Sequence, residues 1–401
     1  MRRLLVRTMV SSRPMYPEDW MKWIRGLFVS AFIATALVAC GGGPISEPSD
    51  DSSVSESVPD ASDMPVFQVD PLWPRPLPED WMFGNVVGVA VDSQDNVWIA
   101  HRPSSQNGSE DTPPVLAFNS EGNVVKSWGG QETIPEWGTQ EHGLYIDFQD
   151  NVWVGFGGGL PYDINTKATT DNAHFLKFSP DGGLLLTVGV FGMGTEGSNS
   201  SRYLGQPTDV YVDPETEEAF ITDGYTNRRV LVVDANTGEY QRLWGAYGDQ
   251  PDDTNPQTMA FRRQADGPQP QQFNTPHCLA GANDGLLYVC DRGNQRVQVF
   301  RRDGTFVRDI FVKTADDDGP GDAPQDMDFS GDPDQRLLFV IGGNKVYAID
   351  RETMEVTLLF GRRGRQAGQF LAAHSATLDS TGNLYVTETT AGSRIQKFVR
   401  R

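Results

Sequence analysis

The chain has 401 residues, of which 38% are hydrophobic and 22% are charged, and its formal net charge is −21 at pH 7. This length and composition agree with one large globular domain. The excess of carboxylates argues against nucleic acid as a partner, because proteins that bind it neutralise phosphates with lysine and arginine.

The first 40 residues have the layout of an export signal. Lys22 and Arg25 precede the apolar run 27–39, which ends just before Cys40. A basic region, a short apolar run and small residues are typical of a secretory signal, and a run of 13 residues is short for a membrane span. The segment resembles a bacterial lipoprotein signal, in which Cys40 is lipidated and becomes the mature N-terminus. On that interpretation Met21 is a candidate for the true start of translation. The alternative to a cleaved signal is that the segment stays uncleaved and anchors the chain.

This layout predicts an exported protein that a lipid holds at the bacterial cell envelope, on the periplasmic or outer-membrane face. Residues 41–63 are rich in Gly, Ser, Pro and acidic residues and lack apolar periodicity, which is typical of a flexible linker. We therefore expect three parts: a signal segment over 1–40, a linker over 41–63 and a folded domain over 64–401.

The folded domain contains six copies of one strand, turn and strand unit. The copies at 88–100 and 143–155 agree position by position, and weaker copies begin at Thr208, Cys278, Met327 and Ala376. Each unit continues into a third strand and usually a fourth, with Asp-Gly or Glu-Gly pairs typical of hairpin turns. Four short antiparallel strands repeated six times predict an all-β, six-bladed propeller.

The sixth copy lacks a fourth strand, whereas an extra strand pattern over 66–70 precedes the first copy. Blades bury their faces against their neighbours, so the ring is stable only when it closes. We expect the segment 66–70 to complete the last blade. We also expect the protein to be a monomer.

Three histidines occupy the same slot in alternate copies of the repeat. His142, His277 and His374 stand at or just before the innermost strand of the second, fourth and sixth blades. Innermost strands line the central channel, so the six-fold repeat places these imidazoles about 120° apart at one depth. Three converging neutral imidazoles with an open fourth position are typical of a catalytic zinc site. His101 and His174 fall outside this register, and we interpret them as structural.

Other polar residues follow the second strands of three blades. Arg102, Tyr225 and Arg292 each come directly after such a strand, so we expect them at the same end of the channel as the histidines. The two remaining cysteines, Cys278 and Cys290, lie in adjacent strands of the fourth blade. An exported compartment permits a disulfide, but counting from the turn does not place them opposite each other, and their state stays open.

These residues carry a resemblance to a known family. The repeats resemble NHL repeats, and the whole domain from about residue 65 resembles peptidyl-α-hydroxyglycine α-amidating lyase. His-Gly-Leu at 142–144, Pro-His at 276–277 and His374 match the three zinc ligands of that family. Four further signature stretches also match: His-Arg at 101–102, Pro-Thr-Asp-Val at 207–210, Asp-Gly-Tyr at 223–225 and Asp-Arg at 291–292.

The resemblance implies a carbon–nitrogen lyase that cleaves an N-acyl-α-hydroxyglycine into an amide and glyoxylate. It implies a zinc ion that binds the substrate hydroxyl and Tyr225 as the general base beside the cation of Arg292. It also implies that Arg102 holds the substrate carboxylate, because a planar guanidinium can bind both oxygens. Val89 and Leu144 match backbone-carbonyl ligands of a structural calcium.

The chain departs from that family at two positions beside the third histidine. Ala372 stands where the family has a methionine, and Ser375 stands where it has an aspartate that helps to hold calcium. The family's disulfide cysteines have no match in Cys278 or Cys290.

The leading hypothesis is a zinc-dependent lyase acting on a peptidyl- or N-acyl-α-hydroxyglycine, or on a related carbinolamide such as ureidoglycolate. Two other classes stay open. One is a non-catalytic propeller that binds a partner through its flat faces. The other is a calcium-dependent lactonase-like propeller, which would need a channel lined with carboxylate and amide ligands.

Overall fold

The structure is a computed structural model that describes residues 64–78, 80–157, 173–193, 195–254, 268–315 and 321–401. The expected signal segment with Cys40 and the expected linker lie outside these ranges. Within them the chain forms 24 strands and two short 3-10 turns, Ala246–Gly248 and Arg292–Asn294. No helix in these ranges has the length and apolar character needed to cross a membrane.

The strands form six antiparallel four-stranded sheets, and in five of them the strands follow the chain order from the channel outwards. The first blade comprises β2 (Asn85–Val91), β3 (Val97–Arg102), β4 (Val115–Phe118) and β5 (Val124–Trp128). The second comprises β6 (Glu141–Ile146), β7 (Val152–Gly157), β8 (Ala173–Phe178) and β9 (Leu184–Gly189). The third comprises β10 (Pro207–Val212), β11 (Glu218–Asp223), β12 (Arg229–Asp234) and β13 (Tyr240–Trp244).

The remaining blades repeat this arrangement. The fourth comprises β14 (Pro276–Gly281), β15 (Leu286–Asp291), β16 (Arg296–Arg301) and β17 (Phe306–Ile310). The fifth comprises β18 (Pro324–Phe329), β19 (Leu337–Gly342), β20 (Lys345–Asp350) and β21 (Val356–Phe360). The sixth comprises β22 (Ala373–Leu378), β23 (Leu384–Glu388), β24 (Arg394–Arg400) and β1 (Phe67–Asp70).

The N-terminal strand closes the ring, which confirms the prediction for the segment 66–70. Strand β1 pairs antiparallel with β24, with Phe67 opposite Arg400 and Asp70 opposite Lys397. The sixth blade therefore combines three strands from one end of the described chain with one from the other. The prediction of an all-β, six-bladed propeller is confirmed.

A hydrogen-bonded motif at the turn between the first two strands explains why the repeat keeps Asp, Asn and an aromatic residue in fixed positions. In the second blade Asp147 accepts hydrogen bonds from the side chains of Asn151 and Trp153. The same arrangement recurs in the first blade (Asp92, Asn96, Trp98) and in the sixth (Asp379, Asn383, Tyr385). Because the aromatic ring is buried while its polar atom is bonded to the aspartate, each turn is fixed without an unsatisfied group.

Every innermost strand carries a β-bulge near the end where it begins. The register with the neighbouring strand shifts at the following pairs: Val86/Gly88, His142/Leu144, Pro207/Asp209, Pro276/Leu279, Pro324/Asp326 and Ala373/Ala376. A bulge bends its strand and turns a side chain away from the regular alternation. Six bulges at one level therefore form a ring in which side chains can turn into the channel.

The bulge of the fourth blade settles the state of the two cysteines. Pro276 is opposite Asp291 and Leu279 is opposite Val289, so two residues, His277 and Cys278, face the single residue Cys290. Cys278 and Cys290 form a disulfide, with their Cα atoms 5.0 Å apart. Counting back from the turn missed this pairing because it assumed a regular register.

Candidate metal centre

His142, His277 and His374 form a nearly equilateral triangle in the channel, which we call the histidine triangle. Their ring centroids are 4.9, 5.0 and 5.1 Å apart, and one nitrogen from each ring lies within 4.8 Å of the others. All three side chains are buried, with exposed fractions of 5%, 3% and 9%. The alternating blades thus bring three imidazoles to one point, and three nitrogen donors are the ligand number of a catalytic zinc site.

Each ring is oriented by a backbone carbonyl of the next blade. The Nδ1 atom of His142 lies 2.9 Å from the carbonyl oxygen of Thr208 in the third blade, and that of His277 lies 2.7 Å from the carbonyl oxygen of Gln325 in the fifth. A carbonyl oxygen only accepts hydrogen bonds, so Nδ1 carries the proton and Nε2 presents its lone pair to the channel. Such partners fix the tautomer and the ring direction of metal-binding histidines.

The third histidine contacts the Val87 backbone of the first blade, and it also reaches it through a hydroxyl. His374 Nδ1 lies 3.1 Å from Ser375 Oγ, and that hydroxyl donates to the carbonyl oxygen of Val87 in the first blade, also at 3.1 Å. Because Ser375 Oγ gives its proton to Val87, it accepts the Nδ1 proton of His374. The three rings are therefore held by three different neighbouring blades.

Burial keeps the histidine triangle neutral. Removal from water, followed by the positive charge of Arg102, lowers the pKa of His142 to about 3. Burial lowers the pKa values of His277 and His374 well below the usual 6.5, with nearby charged and imidazole groups adding to the effect. A buried imidazole avoids the cationic form, so the lone pairs that a metal needs are present without removing protons at neutral pH.

Tyr225 and Arg292 complete this end of the site. The Tyr225 hydroxyl lies 3.2 Å from Nε2 of both His142 and His277, and Arg292 donates to it from Nη1 at 3.0 Å. Arg292 begins a 3-10 turn directly after strand β15, and this turn aims its guanidinium at the phenol. The phenol oxygen thus stands between a guanidinium and two potential metal ligands, which is where a proton-transferring group could act.

Arg102 lies on the other side of a cavity of about 390 Å³ that opens above the histidine triangle and that we call the mouth cavity. Its Nε donates to the carbonyl oxygen of Glu141 at 2.9 Å, and its two terminal amino groups hold no hydrogen bond with the described residues. Burial lowers the pKa of the Arg102 guanidinium. A largely desolvated cation with two parallel donors left over can bind a carboxylate by both oxygens.

The residues expected to hold calcium lie just below the histidine triangle. Val89 and Leu144 line the channel there, together with the half-buried carboxylates Asp209 and Asp326. Calcium takes six to eight oxygen ligands, whereas Ser375 offers a hydroxyl that is already bonded to Val87. The donors therefore do not form the expected set, and calcium at Val89 and Leu144 stays a prediction.

Asp209 and Asp326 instead connect neighbouring blades. Asp209 accepts the amide of Leu279 in the fourth blade at 3.1 Å, and Asp326 accepts that of Ala376 in the sixth at 2.8 Å. Burial raises the pKa of Asp209 to about 7 and that of Asp326 well above its usual value. These contacts support the bulges that present the histidines.

The other two histidines have satisfied structural positions. His101 is fully buried: Nδ1 accepts the Gly84 amide at 3.3 Å and Nε2 donates to the Pro113 carbonyl oxygen at 3.0 Å. His174 is also fully buried; its Nε2 donates to the Glu136 carbonyl oxygen at 2.9 Å.

Several residues that face the site were missed by sequence reasoning. The mouth cavity is also lined by polar side chains from blades one, five and six, namely Asn85, Gln325, Asn344, Thr389 and Thr390. Gln325 was detectable, because it occupies in the fifth blade the slot that histidines occupy in the even blades. The others lie in loops or at strand starts, where the repeat has no fixed pattern.

The fold and the site together define a six-bladed propeller with three histidines at the centre of its channel. Residues 273–300, which span the β14–β16 part of the fourth blade, match the family model described as NHL repeat. The chain thus contains an NHL repeat, as the sequence predicts.

The chain is similar to named proteins of two kinds. It is 28% identical over 245 residues to NHL repeat-containing protein 3 of Mus musculus, covering 60% of this chain and 58% of that protein. It is 31% identical over 247 residues to mouse peptidyl-glycine alpha-amidating monooxygenase, covering 57% of this chain and 22% of that protein. It is 28% identical over 356 residues to peptidyl-alpha-hydroxyglycine alpha-amidating lyase 1 of Drosophila melanogaster, covering 79% of this chain and 57% of that protein. The resemblance to amidating lyases is therefore confirmed, and the chain spans less than two thirds of each of these relatives.

Solved structures share the fold. A structural genomics protein of unknown function from Bacteroides thetaiotaomicron has a TM-score of 0.51 at 15% identity, covering 80% of this chain and 71% of that chain. A streptogramin B lyase structure has a TM-score of 0.50 at 11% identity, covering 84% of this chain and 98% of that chain. At such low identity these likenesses concern the fold alone.

Proposed function

We propose that the protein is a zinc-dependent lyase that cleaves the C–N bond of a peptidyl- or N-acyl-α-hydroxyglycine, or of a related carbinolamide such as ureidoglycolate. The observation that carries this proposal is the placement of the Tyr225 hydroxyl 3.2 Å from two nitrogens of the histidine triangle, below a cavity that also contains Arg102. Relatives named as amidating lyases add support.

Each residue of the site has its own role in this reaction. A zinc ion on the histidine triangle would supply a Lewis acid that makes the substrate hydroxyl easier to deprotonate. Arg102 binds the substrate carboxylate through its two open amino groups and orients the carbinol carbon towards the histidines. Tyr225 accepts the hydroxyl proton, and the guanidinium of Arg292 stabilises negative charge on the phenol oxygen.

Bond changes in this reaction balance without a further reactant. The electron pair of the substrate O–H bond forms the new C=O bond, the C–N bond breaks, and its electron pair stays on nitrogen. The proton held by Tyr225 then returns to that nitrogen. One carbinolamide gives one primary amide and one glyoxylate, so no oxidant, reductant or water is consumed.

We further propose that the protein works at the cell envelope as a lipid-anchored monomer, with Cys40 as the lipidated residue and a small molecule or peptide as the substrate. The basic and apolar layout of residues 1–40 supports export. Globomycin-sensitive processing together with membrane-fraction localisation that Cys40→Ala abolishes would test this part on its own.

The test of the reaction measures zinc and glyoxylate in the same samples. Purified protein should contain about one zinc per chain by elemental analysis and should release glyoxylate from N-benzoyl-α-hydroxyglycine. The variant His142→Ala, His277→Ala, His374→Ala should lose both. His174→Phe is the matched control, since it removes an imidazole of the same propeller that lies outside the triangle, and it should retain both.

The alternative class is a binding scaffold. Protein that holds zinc but releases no glyoxylate from any N-acyl-α-hydroxyglycine or from ureidoglycolate would overturn the lyase proposal. If the His277→Ala variant then still bound a protein partner as the wild type does, the binding scaffold would replace the lyase as the proposed function.

A further inference from the structure

An exposed basic loop lies at the start of the connection between the fifth and sixth blades. Residues 361–370, which we call the basic loop, contain Arg362, Arg363 and Arg365, and all three side chains are exposed. No Asp or Glu occurs between Glu355 and Asp379. This interval is unusual in a chain with 54 acidic and 33 basic residues, and it creates a local positive field on a protein of negative net charge.

The basic loop is firmly attached to the propeller. Phe370 is fully buried, and a bridge joins it to Arg363. Arg394, which also pairs with Glu388, donates hydrogen bonds of 2.8 Å to the carbonyl oxygens of Arg365 and Gln369. These anchors fix the backbone from which the arginines project.

The same contacts place the basic loop at the rim of the mouth cavity. Leu371 and Ala372, which follow the loop directly, line that cavity, and the Leu371 amide donates to Glu388 Oε1 at 2.6 Å. Thr389 and Thr390, just before Arg394, line it too. The loop is therefore next to two segments that form the cavity wall.

The three arginines hold no ion pair with any carboxylate of the described ranges. By contrast, Arg242 pairs with Glu218 and Arg351 pairs with Asp284. Unpaired cations at a cavity rim attract anions, and they act over a Debye length of about 10 Å at 0.1 M salt. Without them, the negative net charge would repel an anion that approaches the mouth.

We propose that the basic loop steers anionic substrates into the mouth cavity, where Arg102 takes over the carboxylate. This inference rests on the proposed function in one respect: the substrate must be an anion. It assigns to Arg362, Arg363 and Arg365 an effect on the rate of encounter and none on the chemical step. The effect should weaken with salt, because the charges are exposed.

The experiment measures association directly, so it does not depend on turnover. The probe is N-benzoylglycine, an unreactive carboxylate, mixed with zinc-loaded protein in a stopped-flow instrument that follows tryptophan fluorescence. In the variant Arg362→Gln, Arg363→Gln, Arg365→Gln, the association rate constant at low ionic strength should fall roughly five-fold, and the difference should vanish near 0.5 M salt.

Two controls separate steering from other effects. The variant Arg301→Gln, Arg308→Gln, Arg400→Gln removes the same charge from strand ends and an outer strand away from the mouth, and it should change the rate by less than two-fold. N-benzoylglycinamide, a neutral probe of the same shape, should associate equally fast with the wild-type and basic-loop proteins.

Failure of this inference is distinct from failure of the proposed lyase. A deficit that persists at high salt, an equal deficit in the control variant, or no binding of N-benzoylglycine would overturn steering. A protein that shows the expected association pattern but releases no glyoxylate would overturn the lyase reaction and leave steering in place.

Discussion

The ring nitrogen Nδ1 of His142 lies 2.9 Å from the carbonyl oxygen of Thr208, which belongs to the next blade. This contact makes the direction of a metal-facing nitrogen depend on the packing of two blades. Gly143, directly after His142, lies in the bulge with φ of 73°, and a Cβ atom there would come within 2.4 Å of the same Thr208 oxygen.

Gly143→Ala should therefore weaken both the fold and the metal site. The methyl group would push away the carbonyl that orients His142, and the positive φ adds strain. We expect the free energy of unfolding of the metal-free protein to fall by about 2 kcal/mol and the zinc affinity to fall at least about ten-fold. Urea unfolding and competition with a zinc chelator measure the two effects.

Gly192→Ala is the matched control for this prediction. Gly192 has a similar φ of 77°, but an added Cβ atom meets nothing within 4 Å. It should lower stability by about 1 kcal/mol and leave zinc affinity unchanged. Equal loss of zinc affinity in both variants would contradict the role given to the Thr208 carbonyl.

Tyr225→Phe should separate zinc binding from catalysis. The substitution removes the hydroxyl that contacts two histidines and Arg292 while keeping the ring. Loss of a proton-transferring group lowers kcat by about 10²- to 10⁴-fold, whereas elemental analysis should still find zinc. A fully active Tyr225→Phe protein would exclude the phenol as the base.

Arg102→Lys should damage substrate binding more than stability. Lysine keeps the positive charge but lacks the planar pair of donors that faces the mouth cavity. We expect KM for a carboxylate substrate to rise roughly ten-fold, and thermal unfolding to change little. A neutral amide of the same substrate is the control, because its KM should be the same in both proteins.

His101 should make the metal-free protein sensitive to acid. Burial lowers its pKa to about 4, against 6.5 when unfolded, so between these values the unfolded chain binds the extra proton. The stability that His101 contributes is therefore complete above pH 6.5 and is lost as the pH falls towards 4, by roughly 3 kcal/mol.

The variant His101→Gln tests the origin of this loss. Glutamine does not titrate, so the variant should start from a lower stability at pH 7.5 but lose less of it by pH 4.5, when urea unfolding is followed with chelator present. Parallel curves for wild type and variant would show that His101 is not the group responsible.

The six-fold repeat made most of the fold predictable from sequence. The matching units at 88–100 and 143–155 define the innermost strands, and the unpaired segment before the first blade predicts ring closure. Because a propeller places one slot of every blade at one depth, the register of His142, His277 and His374 was readable before their distances were known.

The details that the sequence did not predict depend on contacts between blades. The disulfide between Cys278 and Cys290 follows from a bulge, and a bulge shifts register without leaving a clear residue pattern. The carbonyl partners of the histidines are backbone atoms, which any residue supplies. The loop residues Asn344 and Thr389 reach the mouth cavity only because the ring closes.

Closure of the ring by strand β1 has a consequence for how the site is assembled. During synthesis β1 is made long before its partner strand β24, since the paired residues Gln68 and Arg401 are 333 positions apart. His374 belongs to that last blade, so a chain that is still being synthesised cannot gather all three imidazoles before the last blade has been made. A metal ion held by the histidine triangle would therefore bind late in folding and would stabilise the closed ring, because any ligand of the native state shifts folding towards it.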